Sequence, residues 1–497
     1  MRPPAAPVEY DVEAPHAWEH DRLFVEMRPA GGDSPVIRPE SPMDALARPI
    51  VPPAPRVHKG ELSTPRLVVE TLKNTLGNWS EFAFTELSGR RKVLGVDSMM
   101  VNDPAAIRHI LQTNMANYVR PMASVRPVKP LAGAGVLLSE GVEWRRQRRM
   151  LAPAFTPASV GSLLPHFQAA AEGMIRRLEG RTRVNLSEAF HEAALDAVLR
   201  ALFSLSVDGR RELAQRVRDY LAGPGRPTIF DGYARTEEDF GFALGARRRF
   251  QRAWFAEVDR IVADRRAAGE REGHGDLLDL LLAARDPETG QPLSDAEVRD
   301  QCATMLLAGF ETTSRVLFWT SYLLALDGSE QTRLRQEAAA FDPARVTTLD
   351  DIQHWPWLRQ ALLEAMRLYP PVTLIIRQAL GPDTVCGESF GKGMLVWISP
   401  WVIHRHRRFW DQPTAFIPDR FAGKAQPWVS EPHFLPFGAG PRICIGASFA
   451  MAEASIVIAS LLSRFAWSLD DTRTVLPIGG VTTAPSVEPW FRIEPVA

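Results

Sequence analysis

The sequence has few cysteines: Cys302, Cys386 and Cys444 are the only three among 497 residues. None belongs to a C-x-x-C pair and all lie far apart, which excludes a disulfide framework and a zinc site assembled from thiolates, and points to a reducing, intracellular setting. Charge of one sign is also missing: the formal net charge is −1, so no basic field favours nucleic acid. No apolar run reads as long enough to cross a bilayer, and "MRPPAAPVEYDVEAPHAWEH" has no signal-peptide core. The expectation is a soluble, cytoplasmic protein with no membrane span.

What is present is apolar content sufficient for a large core, 45% by residue. The first 64 residues are Pro-rich with little periodicity and read as a leader, extended on the body or partly disordered. From residue 65 to 497 no repeat or flexible linker interrupts the chain. Residues 141–345 carry Ala, Leu, Arg and Glu at helical spacing, whereas short β-like runs such as "KVLGVDSMMV" and "MLVWISPW" flank them. The predicted fold is one mainly α domain with small β-sheets.

Four stretches carry chemistry. In "FLPFGAGPRICIGASFA", a Gly/Pro turn presents Cys444 at the start of an Ala-rich helix. A core cysteine needs no such setting. Glycine permits positive φ and close approach of a flat object, and a helix N-terminus aims amides at the sulfur and favours thiolate. Such a thiolate is a nucleophile or a metal ligand, and Arg442 beside it suits a carboxylate. Upstream of "LLAGFETTSR", Ser294 and Glu297 form a capping box that opens an unusually long helix containing that stretch. At its middle Gly309, Glu311, Thr312 and Thr313 interrupt apolar runs. Interior Gly costs about 1 kcal/mol, which a groove over a cofactor would offset; the alternative is hydroxyls bonded back to carbonyls one turn earlier. In "LLEAMRLYPP", Glu364 and Arg367 read by themselves as an ordinary i,i+3 helix pair before a Tyr-Pro-Pro stop, and "FIPDRF" later carries Arg420. In "GVEWRRQRRM", Trp144 and Arg148 share one helical face while Arg145, Arg146 and Arg149 widen a basic patch. His404 and His406 read as structural, lacking a third ligand at metal spacing.

Phe437-x-x-Gly440-x-Arg442-x-Cys444-x-Gly446 resembles the heme loop of the cytochrome P-450 monooxygenases, and the other three stretches follow in that family's order. The resemblance, over roughly residues 65–497, implies noncovalent heme b between the long helix and the Cys444 loop, with Cys444 as axial thiolate. It implies that Phe437, Arg442, Gly446, Ala308 and Gly309 border the cofactor and that Trp144, Arg148 and Arg377 bind its propionates. It further implies that Thr312, with Glu311 beside it, delivers protons to bound dioxygen. Glu364, Arg367 and Arg420 would hold the fold. A branch that attaches heme covalently has Glu where this chain has Ala308, hence the noncovalent expectation. The implied reaction is hydroxylation of a hydrophobic small molecule, a fatty acid or another aliphatic or terpenoid compound. Electrons would come from a separate ferredoxin and its reductase, docking on the basic patch. A heme-thiolate isomerase or dehydratase and a noncatalytic heme sensor share the cysteine loop and stand as alternatives.

Overall fold

The computed structural model describes residues 49–93, 95–239, 241–267 and 276–496. The chain divides into two units, Met1–Arg48 and Pro49–Ala497; most of the expected leader therefore lies outside the described residues. Its last part, residues 49–63, forms neither helix nor strand beyond one bridge between His58 and Ser80. The body holds it by main-chain contacts: Phe416 N–H donates to Ile50 O (2.9 Å) and the Tyr369 hydroxyl to Pro53 O (2.9 Å).

The centre of the body is the helix Asp295–Leu326, 32 residues long and buried over most of its length. Its start is fixed as the sequence predicts: Ser294 Oγ accepts the Glu297 N–H, and Glu297 accepts the Ser294 N–H at 2.7 Å. The helices Leu186–Phe203, Pro356–Leu368 and Ala447–Arg464 pack around it. Ala447–Arg464 is 18 residues long and apolar enough to cross a membrane, contrary to the expectation that no such run exists; in this fold it is a mostly buried core helix.

A five-stranded sheet lies beside this helical core in the order Ser88–Val93, Val96–Val101, Leu395–Ile398, Ile375–Ala379 and Tyr118–Val119. Its register pairs Tyr118 with Ala379 and Val119 with Gln378. That pairing brings the segment after Val119 beside Arg377, a juxtaposition of residues far apart in the chain.

Glu364, Arg367 and Arg420 form the expected network. Arg367 donates to both Glu364 oxygens (2.6 and 2.7 Å), and Arg420 Nε donates to one of them at 3.3 Å. Arg367 also donates to the carbonyls of His404, Pro413 and Ala415. Removing one partner of such a fully buried pair typically costs about 3–5 kcal/mol. His404 and His406 serve the same scaffold: Leu435 N–H donates to His404 Nε2 (2.7 Å), and His406 Nε2 lies 3.1 Å from Glu86 O.

Candidate functional site

The loop before Ala447–Arg464 is shaped by two glycines of positive φ, Gly438 and Gly440. At Gly440 a Cβ would stand 2.2 Å from the Leu111 carbonyl oxygen, so only glycine lets the loop close against that turn. Cys444 N–H donates to Phe437 O at 2.8 Å, which fixes the cysteine over the loop, and the Phe437 ring packs edge-on to Trp428. The Cys444 side chain is accessible, yet protein surrounds it closely enough that burial pushes its thiol up. The Gly446 N–H and the Arg148 charge pull the other way. Burial outweighs them and the thiol is raised; a metal ion held there would deprotonate it outright.

Near Cys444, Arg120, Arg377 and Arg442 surround one carboxylate, Glu140, and Arg148 bears on the sulfur itself. Glu140 accepts from Arg120 at 2.9 Å and pairs with Arg442, whose guanidinium also donates to Ser139 O and lies 4.4 Å over the Trp144 ring. Arg377 is held down to about 9, first by burial and then by Arg120; Arg442 is held down to about 10 by the same causes. Burial also lowers Arg148, and no carboxylate pairs with it among the described residues. Arginines keep their protons under ordinary conditions, so these directions mark buried guanidinium groups, with Glu140 as the carboxylate that bears on Arg377 and Arg442. The edge is suited to an anion with two carboxylates, and with the lone sulfur it fits heme and its propionates.

Along Asp295–Leu326 the buried run is broken at Ala308, Gly309 and Thr312, the first exposed and the others partly so. Gly309 serves packing instead of the expected groove. A Cβ there would come 2.6 Å from Val198 Cγ2 on Leu186–Phe203, so the glycine lets two core helices approach. The Thr312 hydroxyl donates to Ala308 O at 2.6 Å, the back-bonded arrangement. Glu311 faces inward and is fully buried. Its Oε1 accepts from Arg315 Nε (3.0 Å) and the Thr482 hydroxyl (2.8 Å), and Oε2 stands 3.4 Å from His191 Nε2. Arg315 and His191 hold its carboxyl down to about 2 against burial.

The basic helix Gly141–Leu151 departs from expectation. Arg146 pairs with Glu143 and Glu297, and Arg149 with Asp286 (3.2 Å) and Glu288 (2.8 Å), so these two charges are largely neutralised within the chain. Arg145 is exposed. Sequence reasoning missed Arg120, Glu140, His191, Arg315 and Thr482. Only Arg315, one turn after Glu311, carried a local signal; the others depend on long-range register.

An accessible cysteine at the end of a glycine-shaped loop, an arginine cluster short of anions and a hydroxyl-bearing break in a long apolar helix fit a flat, acidic, metal-carrying cofactor. The cytochrome P450 family model matches residues 90–485, and this chain belongs to that family. It is 28% identical over 431 residues to a cytokinin hydroxylase of Arabidopsis thaliana, covering 83% of each chain. It is 31% identical over 345 residues to a cyclooctatin synthase of Streptomyces melanosporofaciens (68% of this chain, 73% of the relative). To human cytochrome P450 4F12 it is 30% identical over 461 residues, 85% of each. The protein is thus a monooxygenase with noncovalent heme b that hydroxylates hydrophobic substrates using dioxygen and electrons from a redox partner.

Proposed function

We propose that Cys444 would ligate the heme iron through its sulfur and that Trp144, Arg148, Arg377 and Arg442, joined by Arg120, would receive the propionates. The carrying observation is the charge imbalance near the cysteine: Arg120, Arg377 and Arg442 around Glu140, with Arg148 bearing on the sulfur. Heme ligated by thiolate supplies the oxidising power for C–H hydroxylation. This chain's residues bind it, exclude water and manage protons. Gly446 N–H and Arg148 stabilise charge on Cys444 sulfur, while Glu140 keeps Arg120 and Arg442 aimed at the cofactor edge. With heme in place, Thr312 would hold or pass a proton beside the site where dioxygen reacts once its hydroxyl turns from Ala308 O, and Glu311, the residue before it, would be the ionisable group of that relay.

The substrate is an aliphatic or alicyclic compound with few polar groups. We place it beside the residues around 118–128, Met305 and Ala308 on the long helix, residues 372–376 and Val481, which are mainly apolar. A second Streptomyces melanosporofaciens relative, 30% identical over 345 residues, is named cyclooctat-9-en-7-ol 5-monooxygenase, its substrate an alicyclic alcohol by that name. The electron donor is a ferredoxin served by its reductase, and the protein works in the cytoplasm. Reconstitution with ferredoxin and reductase tests the reading, using spectral titration with fatty acids and cyclic terpenoid alcohols to choose the substrate. Product that requires both reductant and dioxygen supports it. Turnover needing neither would indicate the isomerase alternative, and heme binding without turnover the sensor.

A further inference from the structure

His191 stands behind Glu311 in a geometry that requires a proton. Both side chains are 1% exposed. His191 Nδ1 lies 2.7 Å from Ser187 O; a carbonyl only accepts, so Nδ1 carries the hydrogen and, in neutral imidazole, Nε2 presents a lone pair. That lone pair faces Glu311 Oε2 at 3.4 Å, and neither atom has another hydrogen-bond partner. Two acceptors facing each other in a buried site repel. A proton on either one converts the contact into a charge-assisted hydrogen bond.

The surroundings fix which group holds it: Glu311, kept down to about 2 against burial by Arg315 and His191, is the weaker base, so the proton rests on His191 Nε2. Glu311 Oε1 is already engaged by Arg315 and Thr482, leaving Oε2 as the free oxygen. Arg315 on the same long helix and Arg218 on Glu212–Ala222 are the cations that bear on His191, and Glu311 is its carboxylate. Burial and these cations lower His191 while Glu311 raises it, so it titrates on the acid side of an ordinary histidine.

We propose that His191 is the proton donor to Glu311, a positioning and proton-supplying residue second in line behind Thr312; this rests on the reading of Glu311 and Thr312 as the relay. The step is a transfer from His191 Nε2 to Glu311 Oε2. The N–H bond breaks and the O–H bond forms, imidazolium becomes neutral imidazole still donating from Nδ1 to Ser187, and carboxylate becomes carboxylic acid. Oε2 faces only His191 at rest, so Glu311 must turn to pass its proton on, and one proton from solvent, admitted when the buried pair opens, restores the imidazolium.

The test begins with the unmodified holoenzyme. Isotope-labelled histidine NMR between about pH 5 and 8 follows Nε2 of His191, assigned with His191→Gln. The expected result is protonation of Nε2 within that range, at a pH that Glu311→Gln lowers by removing the carboxylate. A His191 Nε2 that stays unprotonated throughout, or titrates identically in Glu311→Gln, overturns the proposal. His191→Gln keeps an N–H near the Nε2 position but has no proton to transfer. It should lower product per reductant roughly tenfold, less than the ~10²–10⁴-fold of positioned proton transfer itself, and abolish the acid limb of that ratio's pH profile. If Glu311→Gln lowers coupling and His191→Gln does not, the proposal fails while the relay stands. If Glu311→Gln leaves coupling unchanged, the relay itself fails.

Discussion

Replacing Gly309 by alanine tests whether that glycine serves the cofactor or the packing of two helices. An alanine Cβ would sit 2.6 Å from Val198 Cγ2, with Cγ1 at 3.5 Å. Val198 is 2% exposed in the middle of Leu186–Phe203, and a β-branched side chain in a helix has one strongly preferred rotamer. The clash therefore pushes helices apart instead of turning a flexible side chain aside. Such overpacking costs about 1–3 kcal/mol, and the better helix propensity of alanine returns up to ~1 kcal/mol. The net is a loss of roughly 0–2 kcal/mol. Val198→Ala alone removes two buried methyl groups at about 0.8 kcal/mol each, plus a cavity term. In the double variant the new methyl occupies the space just vacated, so it should be more stable than the sum of the singles by about 1–3 kcal/mol. Denaturant midpoints of the four holoproteins, with slopes checked for equality, give the coupling energy. Effects that add within ~0.5 kcal/mol, or a Gly309→Ala protein more stable than the parent, would refute the packing account.

Cys444→His should retain a fold but lose the red-shifted Soret band of the reduced carbon monoxide complex; a variant that keeps the band would remove Cys444 as the ligand. Thr312→Ala should bind heme and accept electrons normally while more of the dioxygen leaves as peroxide, and unchanged product per reductant would place proton delivery elsewhere. Charge reversal at Arg145, which is exposed, should slow reduction by an acidic partner at low salt, an effect that fades as the Debye length falls below about 10 Å. Reversal at Arg146 should mainly cost stability, because that residue is already paired with Glu143 and Glu297; equal reduction rates for the Arg145 variant and parent would exclude this docking face. Burial raises the Glu453 carboxyl well above its usual range, and a group raised on folding contributes stability below its unfolded pKa that is lost as pH rises through the folded one. Glu453→Gln should therefore flatten the decline of stability above about pH 5, and parallel profiles for variant and parent would contradict this.

Local chemistry was legible in the sequence. The capping box of Ser294 and Glu297, the spacing that joins Glu364 to Arg367, and the turn that presents Cys444 all follow from neighbours a few residues apart. The roles of Gly309 and of the arginines on Gly141–Leu151 were not legible, because each depends on a distant partner. Val198 decides what the glycine is for, and Glu297, Asp286 and Glu288 decide how much of the basic charge remains. Arg120 joins Arg377 only through the register of two strands, and His191 reaches Glu311 from another helix.

The hairpin formed by Pro477–Gly479 and Thr483–Pro485 ends in the turn that carries Thr482. This turn is tied to the core on both sides: Trp319 Nε1 donates to Thr483 O at 2.9 Å, Thr483 N–H donates to Pro371 O at 3.0 Å, and Thr482 reaches Glu311. With substrate placed beside Val481 as proposed, a molecule that fits badly there would strain the neighbouring Thr482 hydroxyl, which donates to Glu311. Poor fit then reaches the chemistry as faulty timing of proton release as well as weak binding. Across a series of substrates, wasted reductant becomes a ruler for how far that turn has been displaced.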